Sequence, residues 1–215
     1  MSNILVLAAH PDDETLGCGA TIKKLSQSSN NIHLMTFADG ESGRRNADGK
    51  RSKVLDSVCQ KLGINSYKAF DFPDNKMDSV PLLDICQEIE DNVPFTPDMI
   101  LTHWIHDLNV DHSIVARVTA TVFRPQLANK NVILSYFVPS SSDYNPFNTF
   151  DGSYYVDVSS TYKDKLDCLK TIYGKEMRQY PHSRSLDNIE NIMKVWGSEV
   201  GHMYCEKFKF IRGVA

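Results

Sequence analysis

"NILVLAAHPDDETLGCGATI", residues 3–22, joins a long apolar run to a cluster of acids through a single histidine and proline. Its apolar run over 3–9 reads as a strand buried on both faces, as in a parallel sheet. His10 and Pro11 break the run, the acids Asp12, Asp13 and Glu14 follow, and a helix is predicted from about Glu14 to Ser26. Strand, tight turn and helix open a βαβ unit. A dinucleotide-binding turn would carry GxGxxG at this point. Here "GCGA" (17–20) falls late, inside the predicted helix, and the turn itself carries carboxylates, which repel a pyrophosphate. No GxxxxGK[ST] is present either. Nucleotide phosphate binding at this turn is set aside.

Outward from this stretch the β-then-α rhythm continues. Strands are predicted at 31–38, 67–72, 98–103 and 132–138, and helices at 49–63, 80–93 and 111–123. Val54, Leu55, Val58 and Leu62 share one face of the second helix, and Gly63 supplies its stop. Pro81 suits the first turn of the third helix, and Pro125 closes the fourth. The expected fold is α/β: a Rossmann-like, mostly parallel sheet of order 3-2-1-4-5 with helices on both faces. The last third is less regular. A turn-rich loop over 140–153 precedes a strand at "YYVDVS" (154–159), helices near 160–173 and 185–201, and an alternating segment, 205–212, that suits a closing edge strand. Residues 1–215 are read as one domain, with 140–215 as a capping α+β extension.

Composition sets the outer bounds. The chain has 215 residues, 41% hydrophobic and 23% charged, with a net charge of −4, so no basic field argues for nucleic acid or an anionic membrane. No apolar stretch is long enough to span a bilayer, and no cationic leader precedes the first strand, so a cytoplasmic location is expected. The five cysteines are scattered and include no CxxC pair, which argues against a disulfide framework or a thiolate zinc site.

In an open parallel sheet, ligands bind beyond the carboxyl ends of the strands, where strand order reverses. With order 3-2-1-4-5 that crevice lies between strands 1 and 4. It is flanked by "AHPDDE" (9–14) and "HWIHDLNVDH" (103–112), the chain's two clusters of metal-type residues. His10, Asp13 and His112 would form a His₂Asp set of the kind that holds a catalytic zinc, with one position left for water. Asp12, left beside the metal without a ligand role, has the place of a general base. Asp111 is expected to hold an imidazole in the required tautomer. Helix capping accounts fully for one aspartate at this turn, and less well for two behind a histidine.

These residues resemble those of the PIG-L/LmbE-like zinc deacetylases, Rossmann-like enzymes that hydrolyse N-acetyl groups, mostly from glucosamine derivatives. The resemblance runs from "NILVLAAHPDDETLGCGATI" through "FADGESG" (37–43) and "LTHWIHDLNVDH" (101–112) to "RP" (124–125). It implies metal ligands at His10, Asp13 and His112, and the base at Asp12. The family's second motif is often HPDH, whose leading histidine helps stabilise the oxyanion. Here it reads NVDH, with Asn109 in that place, able to donate a hydrogen bond to substrate or water. His103, His106 and His182 are candidates for the missing cation. His182, in "YPHSRS" (180–185), is favoured as oxyanion stabiliser or as acid towards the leaving amine; the competing reading is a loop histidine of no consequence. Arg51, with Arg44 and Arg45 nearby, is either a solvated charge or an anchor for a substrate phosphate or hydroxyl.

The expected activity is a hydrolase with one Zn²⁺ per chain that removes an N-acetyl or similar N-acyl group from a small-molecule amino sugar or its conjugate. The alternative is a divalent-metal-dependent sugar-nucleotide transferase or binding protein, with Asp12 and Asp13 holding magnesium or manganese; the histidines argue against it, since hard ions prefer oxygen shells. A non-catalytic metal-binding module is the third reading.

Overall fold

Along β1 (Asn3–Ala8) the side chains alternate between two hydrophobic layers: Ile4, Val6 and Ala8 enter one, and Leu5 and Leu7 the other. Both layers are dry, which is why the run shows no polar alternation. The computed structural model describes residues 1–42, 54–125 and 130–214.

The sheet has seven strands in the order β3-β2-β1-β4-β5-β7-β6. Parallel pairing joins β3 (Ser66–Phe72), β2 (Asn31–Ala38), β1, β4 (Met99–His103) and β5 (Val132–Tyr136). The expected 3-2-1-4-5 core is therefore present. β7 (Cys205–Arg212) runs antiparallel to β5 and carries β6 (Tyr154–Asp157) on its far side. This corrects the reading of 205–212 as a closing edge: β6 takes the edge, and β7 is hydrogen-bonded on both sides.

Helices cover both faces. Leu16 and Ile22 of α1 (Asp13–Gln27), Leu55 and Val58 of α2 (Leu55–Leu62), Leu169 of α5 (Tyr162–Thr171) and Met193 of α6 (Leu186–Glu199) fill the layer that holds Val6. Ile85 and Ile89 of α3 (Leu82–Asn92) and Val115 and Val118 of α4 (Val110–Val122) fill the layer that holds Leu7. Local chemistry sets the helix ends. Gly63 stops α2 in the left-handed region, at φ 79°. Asn109 caps α4 by accepting the amide of Asp111, and Ser185 caps α6 by accepting that of Asn188. Pro81 lies one residue before α3, at its N-cap, rather than in its first turn. Strand order reverses between β1 and β4, so the loops after these strands face each other across the crevice.

Candidate metal centre

The turn after β1 is held in a conformation that the chain adopts nowhere by default. Asp12 has φ 127° and ψ −27°, a strained position for a residue with a side chain. Its carbonyl accepts the amides of Thr15 and Leu16 at 3.1 and 2.8 Å, and its own N–H donates to Glu14 Oε2 at 3.1 Å. Glu14 is fully buried and is pinned by the hydroxyls of Thr15 and Tyr173, at 2.6 and 2.9 Å. Burial raises its pKa to about 7.

α1 kinks at Cys18, which leaves helical geometry at φ −144°, ψ 21°. Glu206 of β7 fills the gap by accepting the amides of Ala20 and Thr21 at 3.2 and 2.7 Å. Lys165 of α5 neutralises it at 2.7 Å and also donates to the Leu16 carbonyl at 2.8 Å. Gly17 is needed where α1 meets β5, because a Cβ there would sit 2.2 Å from the Tyr136 ring. The C-terminal elements thus fix the helix whose first residue is Asp13.

Three donors converge at the head of α1. Asp13 Oδ2 lies 3.2 Å from His10 Nδ1 and 3.2 Å from His112 Nε2. The ligand-type atoms of His10, Asp13 and His112 all fall within 4.8 Å of one another, and all three residues are buried. Asp13 Oδ1 is buried and takes no hydrogen bond among the described residues. Mixed imidazole and carboxylate donors, with a carboxylate oxygen left unsatisfied, fit a divalent cation.

The outer nitrogens of both rings are engaged. His10 Nε2 faces Asp111 and Asp74, each at 3.0 Å. Asp111 is itself fixed by the amides of Asn75 and Met77, at 2.7 and 3.0 Å. His112 Nδ1 faces Asp107 at 3.1 Å, and Asp107 also accepts from the hydroxyls of Ser141 and Ser142. Burial works against charge on His10 and His112, but the surrounding carboxylates outweigh it, holding His10 well above its usual pKa and His112 at about 9. Burial likewise opposes charge on Asp13, yet the imidazoles of His112, His10 and His103 hold its carboxyl well below the usual range. A metal ion would displace protons held only by these mutual pairs. His103 stacks on His112, ring centroids 4.0 Å apart, and accepts the Ala9 amide at 2.8 Å; burial keeps it well below its usual pKa.

A cavity of about 350 Å³ opens over this cluster. Asp12, Asn109 and Arg184 line it together with His10, Asp13 and His112. The structure therefore brings five of the sequence-predicted residues to one cavity, with Asp111 behind His10. His182 is not among the lining residues. Its Nδ1 accepts the Arg184 amide at 3.0 Å and its ring packs edge-on to Tyr144, so the imidazole is tied into its own turn. Arg51, Arg44 and Arg45 lie outside the described residues. Sequence reasoning missed Asp74, Asp107 and Arg184. Asp107 had one signal, an acid within the HWIHDLNVDH loop; Arg184 had only its place in YPHSRS.

Comparison with known proteins bears on the same residues. The family described as PIG-L, GlcNAc-PI de-N-acetylase, matches residues 5–123, which include His10, Asp13 and His112. A diacetylchitobiose deacetylase of Thermococcus kodakarensis is 23% identical over 245 aligned positions, covering 100% of this chain and 85% of the relative. Among solved structures, N,N'-diacetylchitobiose deacetylase from Pyrococcus horikoshii, bound to an inhibitor, matches with a TM-score of 0.75 at 18% identity over 98% of this chain and 84% of that one. The 4-carboxy-2-hydroxymuconate hydratase GalB from Pseudomonas putida matches with a TM-score of 0.72 at 18% identity over 100% of this chain and 99% of that one. Likeness at this identity establishes the fold, and a fold shared with a hydratase does not by itself fix the reaction.

Proposed function

The chain belongs to the PIG-L, GlcNAc-PI de-N-acetylase, family, and on that premise we propose that it removes an N-acetyl or similar N-acyl group from an amino sugar or its conjugate, using one zinc ion per chain. The observation that carries this reading is the buried His10–Asp13–His112 set beneath an open cavity, with Asp12 beside it. Two deacetylases of diacetylchitobiose among the similar proteins support the amino-sugar substrate.

Zinc held by His10, Asp13 and His112 would supply Lewis acidity, lowering the pKa of water towards roughly 7 and polarising a carbonyl. The remaining work falls to the chain's own side chains. Asp111 and Asp74 occupy one nitrogen of His10, and Asp107 occupies one nitrogen of His112, so each ring presents its other nitrogen to the Asp13 side. Asp12 acts as general base. It takes a proton from water as the water oxygen bonds to the acetamide carbon. The Asp12 carboxyl then returns that proton to the amide nitrogen as the carbon–nitrogen bond breaks, and acetate and a free amine leave. Asp12 suits both transfers because it lines the cavity and is not one of the three donors.

The test is a panel of N-acetylated amino sugars and conjugates, incubated with zinc-loaded protein while free amine is followed. Amine release from at least one member, abolished in Asp12→Asn, is expected. Protein that carries one zinc per chain and releases amine from no member contradicts the proposal.

A further inference from the structure

The family's second motif commonly offers a histidine to the substrate carbonyl, and this chain has Asn109 there instead. Asn109 is a neutral amide, and both its oxygen and its nitrogen already hold the loop in place. Its Oδ1 accepts the Asp111 amide at 2.9 Å as the cap of α4, and its Nδ2 donates to Asn75 Oδ1 at 3.2 Å. That cap holds Asn109 at the start of α4, the helix that carries His112. His182 is held in its own turn, as described above.

Arg184 lies in the right place. It precedes α6, outside the segment that matches the family, and its side chain lines the cavity. Nη1 lies 3.3 Å from Asp12 Oδ2, and Nε donates to Ser140 Oγ at 3.2 Å. The turn that aims it is itself fixed. The Arg184 carbonyl accepts the Arg178 amide at 3.2 Å, and Asn188 binds the Ser183 carbonyl at 3.0 Å. The side chain keeps 16% of its surface exposed, and a guanidinium has five N–H donors, more than the contacts to Asp12 and Ser140 use. It is also the one permanent cation among the described residues that line the cavity.

We infer that Arg184 is a catalytic residue of this site: its guanidinium donates to the carbonyl oxygen of the N-acyl group as negative charge develops there. The inference rests on the deacetylase reading above. As water adds to the carbonyl carbon, the carbon–oxygen π pair moves onto that oxygen, and a fixed cationic donor stabilises it. When the carbon–nitrogen bond breaks, the pair returns to re-form the carbonyl of acetate. Arg184 gives up no proton, because a guanidinium stays charged at working pH, so proton transfer remains with Asp12.

The experiment compares the parent with Arg184→Met and Arg184→Lys on a sugar substrate from the panel, as its N-acetyl and N-trifluoroacetyl forms. Zinc content and Tm are measured alongside. For the N-acetyl substrate, kcat of Arg184→Met should fall about a hundred- to a thousand-fold, with KM changed less than threefold and zinc content unchanged. Arg184→Lys should recover part of the loss. The trifluoroacetyl substrate, whose carbonyl is already activated, should lose distinctly less. An Arg184→Met variant that turns over like the parent overturns the inference while leaving the deacetylase reading intact. So does a loss confined to KM, or an equal kcat loss on both acyl groups, as a residue that only positioned Asp12 would give. A parent that releases no amine overturns both.

Discussion

Asp107 Oδ1 lies 3.1 Å from His112 Nδ1, while Asp111, the residue next to His112 in the chain, turns away to face His10 Nε2 at 3.0 Å. The two imidazoles of the donor set thus have separate buried carboxylates, Asp111 with Asp74 for His10 and Asp107 for His112, and the nearer acid in sequence serves the more distant ring. Asp107 also gathers the hydroxyls of Ser141 and Ser142, so the loop after β5 is locked to the same carboxylate that orients His112. Burial opposes its ionisation, but His112 and these donors hold its pKa at about 2, and it stays charged across the working range.

Neutralising Asp107 or Asp111 should therefore weaken metal binding without removing a ligand. Asp107→Asn and Asp111→Asn are each expected to lower zinc affinity about 10- to 100-fold, measured by competition against a chromogenic chelator. Affinity within twofold of the parent in both variants would show that these carboxylates do not hold the rings.

The buried Lys165–Glu206 pair makes a separate prediction about stability. Glu206 satisfies two amides released by the kink in α1, and Lys165 is its charge partner. Lys165→Met leaves a buried carboxylate uncompensated, so urea unfolding should show a loss of about 3–5 kcal/mol. The double variant Lys165→Met/Glu206→Gln should cost less than the sum of the single changes, because the stranded charge is gone. A loss under about 1 kcal/mol for Lys165→Met would mean that the pair does not brace α1.

Much of this architecture is legible in the sequence because burial writes it plainly. The unbroken apolar runs of β1, β4 and β5 announce parallel strands covered on both faces, and their alternation with amphipathic helices sets the order 3-2-1-4-5. The convergence of His10, Asp13 and His112 follows from that order, since their loops flank its reversal. The place of β7 is not legible. A strand of alternating pattern, CEKFKFIR, reads as an edge, and only its pairing with the short β6 makes it interior. Arg184 is not legible either. It meets Asp12 across 172 residues of chain, through a turn that long-range hydrogen bonds tie to Ser140 and Tyr144. Asp107 escapes notice because adjacency favours Asp111 as the partner of His112, whereas the start of α4 points Asp111 towards His10.

All five cysteines are buried free thiols. Burial raises the pKa of every one, with Cys59 and Cys168 pushed to about 12. Since only the thiolate reacts, native protein at pH 8 should give no rapid phase with a disulfide reagent, and all thiols should react once unfolded. A stoichiometric fast phase from folded protein would place a thiol outside the core.

Metal should also stabilise the fold, because the donor set exists only in the folded chain. At a free zinc concentration about 100 times Kd the gain is about 2.7 kcal/mol, or a rise in Tm of roughly 5–10 °C for a chain of this size. Calorimetry with and without chelator measures it. An unchanged Tm at saturating zinc would argue against a site formed by folding.

If His10, Asp13 and His112 hold a single cation, elemental analysis of the purified protein will count it. One zinc per chain is predicted for the parent and for Asp12→Asn, with less than about one-tenth of that in folded His112→Ala. Full zinc occupancy in His112→Ala, with His10→Ala alike, would contradict that assignment.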